Sequence, residues 1–467
     1  MRLLSSKSLF VTWVLAFACD PGSRQPVDST GTGGRSSSSS AAATGGRNPL
    51  WDVSNDPPGA VDMTPPKTGE LDVFAQNKSL GRGINIGNCL DAPSEGAWGV
   101  TLMPYMFEVI AKEGFDSIRL PVKWSAHADL TAPYTIDPKF FERVDWAIAH
   151  VLTRGLKIVV DMHHYGNDNE EGMFDQPVKH HDRFIGLWKQ IADHYKNYPK
   201  ELFLEPLNEP RGALEPLWNQ YMADAVAAIR ETNPGRTLIV GGIEWNKYYR
   251  LKDVVFPDSN IIATYHYYNP YCFTHQNQYW EAICKTPDGS DPAKAGTAEW
   301  PVTWPKLDQN PAGTESSARA RLESDMQAAA AWAKSANRPL YMGEFGVSST
   351  PSLSERADYT GSLVKAAERL GISFSYWQFT SDMGVWDGTH MQFLPEMLKA
   401  LKSTPDAGTG GTSSGGASSG GASNNGGTSS GGASSTGGVG GDTVSGGSSG
   451  QDSGGTGSGA GGTSSAS

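Results

Sequence analysis

The chain has 467 residues and a formal net charge of −12, from 38 lysines and arginines against 50 aspartates and glutamates. This acidic balance disfavours nucleic acids and anionic membrane surfaces as partners. The 55 glycines and the long Ser/Gly tracts mean that much of the chain cannot bury a core. The segment of ordinary globular composition, 69–403, suits one large α/β domain.

The first 19 residues predict an export signal. Arg2 and Lys7 precede a short apolar run, and small residues lead up to Cys19. This arrangement resembles a bacterial lipoprotein signal in which Cys19 becomes the lipidated first residue, and ordinary cleavage after Ala18 is the alternative. The apolar run is too short to span a bilayer. We therefore expect an extracellular or cell-surface protein, attached to a membrane only through an N-terminal lipid.

Two low-complexity segments flank the globular segment. Residues 20–68 are rich in Ser, Gly and Pro and predict a disordered linker. Residues 404–467 repeat Gly, Ser and Thr with almost no apolar residue and predict a disordered tail. The tail carries no recognisable carbohydrate-binding module.

Within 69–403, apolar strand-like runs alternate with helical patterns, which predicts a parallel (β/α)8 TIM barrel. The eight strands are expected near residues 81, 116, 156, 202, 236, 260, 339 and 372. Helices are expected over 102–113, 138–154, 182–197, 214–232, 316–335 and 353–370. Active sites of such barrels lie at the carboxyl ends of the strands, so residues that close each strand are candidates for function.

Two of these strand ends carry a glutamate. Glu209 closes the run LFLEPLNEP, and Glu344 closes the run RPLYMGEFG. A lone glutamate at a strand end is more often solvated or ion-paired than catalytic. A pair has a specific use, because cleavage of a glycosidic bond needs one carboxylic acid to protonate the leaving oxygen and a second carboxylate across the anomeric carbon.

Polar and aromatic residues recur at the other strand ends. They are Asn88 and Asp91 after strand 1, Arg119 in strand 2, His163 and His164 after strand 3, Asn208 after strand 4, His266 and Tyr268 in strand 6, and Trp377 and Gln378 in strand 8. The remaining histidines on helices or before them, His150, His180, His181 and His194, suit solvated or structural roles.

These motifs carry a family resemblance. LNEP, GEFG, IRLP, DMHHY, HYYNP and a tryptophan closing the last strand resemble glycoside hydrolase family 5, the cellulase-type barrel hydrolases. The opening GRGINIGNCLDAPSEGAWGV, with WSAHA, FTHQ and GVWD, is similar to bacterial endoglucanases of that family that also accept mannan. The resemblance covers essentially all of the folded segment.

The resemblance implies a retaining endo-β-1,4-glycanase that acts by double displacement, with endo-β-1,4-glucanase as the first choice. Endo-β-1,4-mannanase or xyloglucanase is the alternative within the same chemistry. A non-catalytic surface protein that binds polysaccharide is the alternative from another class. A monomer is expected.

The resemblance also implies roles for individual residues. Glu209 is expected to be the general acid/base and Glu344 the nucleophile. Arg119 matches the family arginine that contacts the nucleophile, and a positive partner keeps a carboxylate ionised. Tyr268 matches the tyrosine beside the nucleophile, and His266 matches the histidine near the acid/base.

Further matches concern the sugar itself. Asn208 is expected to bind the 2-hydroxyl next to the cleaved bond, an interaction that strengthens in the transition state. His163 and His164 are expected to contact sugar, and Trp377 to form the stacking floor of the subsite that holds the distorted ring.

Two positions depart from the family pattern, and one further glutamate is expected to be structural rather than catalytic. Asp91 and Gln378 stand where relatives have Glu. Both, with Asn88, lie where sugars bind, so they affect the choice of sugar. Glu205, earlier in strand 4, is expected to be a buried structural partner.

The histidine pair and the cysteines raise the questions of a metal site and a disulfide. An HH pair alone fits a metal site, but no carboxylate at ligand spacing follows it, so we expect no catalytic metal and no cofactor. In an exported chain, Cys272 and Cys284 are candidates for a disulfide across the loop after strand 6, which leaves Cys89 as a buried thiol. Trp280, Trp300 and Trp304 in the same loop either line a cleft or pack beneath it.

Overall fold

The computed structural model describes residues 59–166, 172–276, 278 and 318–405. The predicted signal with Cys19, most of the linker 20–68 and nearly all of the tail 404–467 lie outside these ranges. Cys284 and the tryptophans of the loop after strand 6 lie outside them too. Among the described residues, none of the helices has the length and apolar character needed to cross a membrane.

Eight parallel strands close into a barrel, in which each strand pairs with the next and β8 pairs with β1. The fold class predicted from the sequence is therefore confirmed, and each strand lies where its apolar run predicted. The strands are β1 Arg82–Asn85, β2 Ser117–Val122, β3 Lys157–Met162, β4 Leu202–Glu205, β5 Leu238–Gly241, β6 Ile261–His266, β7 Leu340–Glu344 and β8 Ser373–Tyr376.

Helices follow the strands and pack around the barrel. The main helices are Pro104–Lys112, Pro138–Leu152, Pro177–Tyr195, Trp218–Arg230, Ala318–Ser335 and Leu353–Leu370. Five agree with the predicted ranges to within about one turn. The sixth, predicted over 182–197, begins earlier, because Pro177 can occupy the first helical turn, where a missing N–H costs nothing. Shorter helices are Val73–Leu80, Gly172–Asp175, Tyr271–Thr274 and Pro395–Leu401, and 3₁₀ turns span Trp124–His127, Gly212–Leu217 and Tyr248–Asp253.

Local sequence explains several helix ends. Asp137 accepts a hydrogen bond from the backbone N–H of Lys139 and so caps the helix that starts at Pro138. Ser352 and Glu355 form a reciprocal capping box. That helix ends at Gly371, whose φ of 69° is left-handed and suits glycine.

The helix Val73–Leu80 closes the amino-terminal end of the barrel, and the sequence did not predict it. Leu80 is fully buried in a cluster with interior side chains of β3 to β7, and Val73 packs against the same cluster. Asn77 donates to the Leu340 carbonyl and accepts from the Ser373 hydroxyl. This end of the barrel is therefore filled by packing, which leaves the opposite end for chemistry.

At the carboxyl end, the strand register brings polar residues together. Neighbouring strands place the following residues side by side: Asn85 with Arg119, Asp161 with Glu205, and His266 with Glu344. All six are buried. Because buried polar groups must find partners, this ring of side chains forms one hydrogen-bonded network.

Candidate active site

Arg119 lies at the centre of the network. Its Nε and Nη2 atoms donate to the two carboxylate oxygens of Glu205 at 2.8 and 3.0 Å, and Nη2 lies 2.5 Å from Asp161. All three side chains are fully buried. Burial acts to lower the pKa of Arg119, but the charges of Asp161 and Glu205 raise it well above its usual value. The guanidinium is therefore permanently charged, and Asp161 and Glu205 hold it in place. This agrees with the expectation that Glu205 is a buried structural partner.

The upper side of the same guanidinium faces the predicted catalytic residues. Nη1 donates to Glu344 Oε1 at 2.8 Å and to Asn85 Oδ1 at 3.1 Å, and Nη2 donates to Asn208 Oδ1 at 2.8 Å. One cation thus orients a carboxylate and a carboxamide together. Because Asn208 Oδ1 accepts from Arg119, its amide nitrogen is the atom left to donate, and it lies 3.4 Å from His163 Nε2.

Glu344 has both oxygens held. Oε1 accepts from Arg119, and Oε2 accepts from the Tyr268 hydroxyl at 2.9 Å. The residue is 4% exposed at the end of β7. Two donors, one to each oxygen, therefore fix the orientation of this carboxylate. Tyr268 and Arg119 therefore lie where the sequence placed them, on either side of Glu344.

Glu209 follows β4 in a backbone conformation that is rare for glutamate, with φ of 47°. Its Oε1 atom lies 2.7 Å from Nδ1 of His266, as the sequence predicted for that pair. The same nitrogen lies 3.5 Å from Glu344 Oε2. Because both contacts share His266 Nδ1, the distance between the nearest oxygens of the two carboxylates is at most the sum of the two contact distances. That limit is below the roughly 6.5 Å minimum of inverting enzymes and allows the 5–5.5 Å of retaining ones.

Glu209 and His266 shift one another's pKa in opposite directions. Burial acts to lower the pKa of His266, but the Glu344 charge and the hydrogen bond to Glu209 raise it above its usual value. Burial acts to raise the pKa of Glu209, but the hydrogen bond and charge of His266 lower it to about 2. Protonation of His266 and protonation of Glu209 therefore oppose one another.

His163 and Trp377 form one wall of the site. His163 Nδ1 lies 2.9 Å from Asp161, and its Nε2 lies 3.4 Å from the amide nitrogen of Asn208. The Trp377 indole, half-buried at the end of β8, stacks on the His163 ring with centroids 5.2 Å apart and planes 6° apart. Burial lowers the pKa of His163 to about 3, so the ring is neutral.

Asn88, Asp91 and His164 lie beside this wall, but Asp91 faces inward. Its carboxylate accepts the backbone N–H groups of Asn88 at 3.0 Å and Cys89 at 2.8 Å, and it is fully buried. The Asn88 amide donates to the Ser381 hydroxyl at 2.9 Å. The Asp91 contacts shape the loop after β1. His164 is half-buried next to His163, with centroids 4.8 Å apart.

Two groups of side chains have donor atoms close enough together to hold a metal ion. The donor atoms of Asp91, His163 and His164 lie within 4.8 Å of one another, so a carboxylate does approach the histidine pair. The sequence could not reveal it, because Asp91 is far away along the chain. Glu209, His266 and Glu344 also lie this close, but they bond to each other beside the Arg119 cation, which disfavours a second cation there.

The cysteines can be placed in part. Cys89 is free and buried, as predicted. Burial raises its pKa well above the usual value, so it is an inert thiol. Cys272 is disulfide-bonded. Cys284 lies outside the described residues, so the pairing of these two cysteines stays a prediction.

Three residues at this end of the barrel, Asp161, Asn246 and Trp245, were not predicted. Asp161 precedes His163 by two residues and so shares its face of β3, a signal that strand alternation carries. Gln378, which the sequence did place at this end, has its Oε1 atom buried without a partner among the described residues. Asn246 contacts His266 from the side opposite Glu209. Trp245 is 48% exposed after β5, across the barrel from Trp98 after β1.

Comparisons with known proteins agree with this geometry. The family model described as Cellulase (glycosyl hydrolase family 5) matches residues 81–383. The chain is 30% identical over 355 residues to Endoglucanase H of Acetivibrio thermocellus, a match that covers 72% of this chain and 35% of that protein. It is 26% identical over 323 residues to Endoglucanase C of the same organism, covering 64% and 91%. The chain thus spans about a third of the first relative and most of the second.

Solved structures give the same result. Crystal structures of Cel5A from Thermotoga maritima, in complexes described with mannotriose and with cellobiose, are 38% identical in sequence. Each superposes with a TM-score of 0.63 and covers 71% of this chain and 100% of that chain.

Proposed function

Because the chain belongs to the cellulase family, glycosyl hydrolase family 5, we propose that it is an endo-β-1,4-glucanase, a retaining enzyme like the rest of its family. The observation that carries the proposal is the single imidazole nitrogen of His266, which lies 2.7 Å from Glu209 and 3.5 Å from Glu344. Two carboxylates this close suit a covalent glycosyl intermediate.

In the first step, Glu344 attacks the anomeric carbon and Glu209 protonates the departing oxygen. Arg119 and Tyr268 fix both oxygens of Glu344, so the attacking atom needs little reorganisation. The amide nitrogen of Asn208, oriented by Arg119, donates to the sugar 2-hydroxyl as positive charge develops on the ring.

In the second step, Glu209 acts as a base. Once Glu344 is esterified, its negative charge is gone, and a carboxylate next to Glu209 no longer favours the protonated form of that residue. Glu209 then takes a proton from water, which attacks the anomeric carbon and releases the sugar with its original configuration.

Aromatic side chains support action within a polymer. The Trp377 indole stacks on His163 in one wall of the site, and Trp245 is exposed after β5. Trp98 lies after β1 in contact with His164, on the opposite side of the eight-stranded barrel. Flat apolar faces after β1, β5 and β8 suit a chain of sugars rather than one terminal sugar.

A mannan remains the second candidate substrate, and a xyloglucan the third. The Cel5A structures carry mannotriose in one description and cellobiose in another, so one such barrel binds both sugars. A non-catalytic binding protein is less favoured, because both carboxylates are present and each is held by dedicated partners.

The test is release of reducing ends by the full chain from carboxymethyl cellulose, β-glucan, xyloglucan and mannan. We expect β-glucan or carboxymethyl cellulose to be cut fastest. Glu209→Gln and Glu344→Gln should each lower the rate by at least about 100-fold, the usual contribution of a general acid or more. Glu142→Gln, an exposed glutamate on the helix Pro138–Leu152, is the matched control and should keep full activity.

The rank of the four rates names the substrate. Binding of a polymer without cleavage would contradict the proposal and favour the non-catalytic alternative. Cleavage that survives both glutamine substitutions would contradict the assignment of the two carboxylates.

A further inference from the structure

Asn246 holds the side of His266 that faces away from Glu209. Its amide nitrogen lies 3.3 Å from His266 Nε2, while His266 Nδ1 contacts Glu209 at 2.7 Å. Asn246 and His266 are both buried, 0% and 3% exposed. The imidazole is thus held between the Asn246 carboxamide and the predicted acid/base. The mechanism proposed above assigns no role to this carboxamide.

The backbone is shaped to place this side chain. Glu244, Trp245 and Asn246 all have left-handed φ values of 56°, 56° and 55°. Non-glycine residues rarely adopt this region, and those that do cluster at functional sites. On the preceding strand, a Cβ at Gly241 would lie 2.1 Å from Asn246 Oδ1, so only glycine leaves room for the amide.

The orientation of the amide decides which ring nitrogen is protonated. With the amide nitrogen toward Nε2, Nε2 accepts and carries no hydrogen, so Nδ1 carries the proton and donates to Glu209. This orientation leaves one acceptor, Oδ1, without a partner among the described residues. The reverse orientation would turn two N–H donors toward Gly241, and unpaired buried donors are rarer than unpaired acceptors.

The Asn246 amide favours a neutral His266 ring, whereas the carboxylates around His266 favour a charged one. The groups that face it are the carboxylates Glu209 and Glu344 from β4 and β7, Arg119 from β2, His163 and Asp161 from β3, and Glu205 from β4. The near carboxylates favour a second proton on the imidazole, and Arg119 disfavours it. Burial acts to raise the pKa of Glu209, but the hydrogen bond and charge of His266 lower it to about 2, and an ionised Glu209 cannot protonate a leaving group.

We propose that Asn246 is a positioning residue that keeps His266 in its neutral, Nδ1–H form and thereby leaves the catalytic proton on Glu209. The amide donor at Nε2 opposes a second proton at that atom. This inference rests on the proposed function, because it concerns the same acid/base, but it assigns a role to a residue outside the pair of carboxylates.

Asn246→Asp tests the inference with little change in shape. Aspartate has no N–H, so it accepts from a protonated Nε2, favours the charged imidazole and leaves Glu209 ionised. We expect kcat/KM on the polymer that the wild type cuts fastest to fall at least about 10-fold, because its leaving group needs a proton. A 2,4-dinitrophenyl glycoside of the same sugar has a leaving group that needs none, so its kcat/KM should stay within about 2-fold.

The matched control is Asn337→Asp, the same change at another left-handed position, φ 49°, which is exposed at the end of the helix Ala318–Ser335. It should leave both rates unchanged. Nitrogen-15 NMR of the His266 ring in the full chain is the second readout. It should show an unprotonated Nε2 in the wild type and a protonated Nε2 in Asn246→Asp.

Equal losses on the two substrates would indicate structural damage and overturn the inference, as would no loss on either. A protonated Nε2 in the wild type would overturn it as well, and this readout needs no variant to fold. If the wild type cuts neither substrate, the proposed function fails instead, so the two failures are distinguishable.

Discussion

At the scale of single residues, Arg119 links the core to the site. Three buried carboxylates, Asp161, Glu205 and Glu344, lie within 2.8 Å of one guanidinium. Removal of the cation would leave buried charge uncompensated, at a cost of about 3–5 kcal/mol. Lysine could not replace it, because one ammonium cannot reproduce the planar set of donors that serves Glu205, Asn208 and Glu344 together.

Asp91 gives a pH-dependent prediction at the same scale. Burial raises its pKa to about 7, with a further contribution from Asp161 and an opposing one from backbone N–H groups. The folded-state pKa lies above the unfolded value, so between about pH 4 and pH 7 the folded chain retains a proton that the unfolded chain loses. The wild type should therefore lose stability relative to Asp91→Asn as pH rises through this window, by up to about 1.4 kcal/mol per unit.

Urea unfolding at pH 5 and pH 8 measures this difference. Asp193→Asn, at a side chain that is 60% exposed, is the control and should show the same offset from the wild type at both pH values. A constant offset for Asp91→Asn would mean that Asp91 is ionised throughout.

The sequence predicted residues better than their contacts. Glu209, Glu344, Arg119, Tyr268 and His266 could be found because each closes or follows an apolar run. Asp91 was placed near sugar, yet its carboxylate binds the backbone of its own loop. Asn246 could not be found, because its role depends on a left-handed turn and on a strand distant in sequence.

At the scale of elements, register rather than any single strand builds the site. His266 on β6 lies beside Glu344 on β7 at a point where the register shifts after Tyr265. A shift of one residue would turn a side chain to the other face of its strand. Periodicity predicted the eight strands, but it carries no information on the register between strands that are far apart in sequence.

The helix Val73–Leu80 gives a prediction for the closed end of the barrel. Leu80 is fully buried, whereas Phe74 on the same helix is 46% exposed. Leu80→Ala should lower the free energy of unfolding by about 2–5 kcal/mol through the lost burial and the cavity left behind. Phe74→Ala should change it by about 0.5 kcal/mol or less.

Chemical denaturation of both variants, together with kcat/KM on the best substrate, checks this division of the barrel. Activity below the unfolding transition should match the wild type for both. Equal destabilisation by the two substitutions would show that the helix does not seal the barrel.

At the scale of the whole molecule, the sequence separates a barrel from two flanking segments of different composition. The alternation of strands and helices over about 300 residues allows few folds other than an eight-stranded barrel. Export, lipidation at Cys19 and the role of the tail 404–467 stay predictions, since these parts of the chain lie outside the described residues. The linker and tail have compositions that specify no packing.

The proposed mechanism depends most on Glu344 acting as a nucleophile within reach of the same imidazole nitrogen as Glu209. The most direct test is proton NMR of the anomeric configuration of the first product, released by the full chain from a soluble β-1,4-gluco-oligosaccharide. We predict that the β-anomer appears first and that the α-anomer grows in only by mutarotation. First appearance of the α-anomer would contradict the covalent intermediate, and with it the roles assigned to both glutamates.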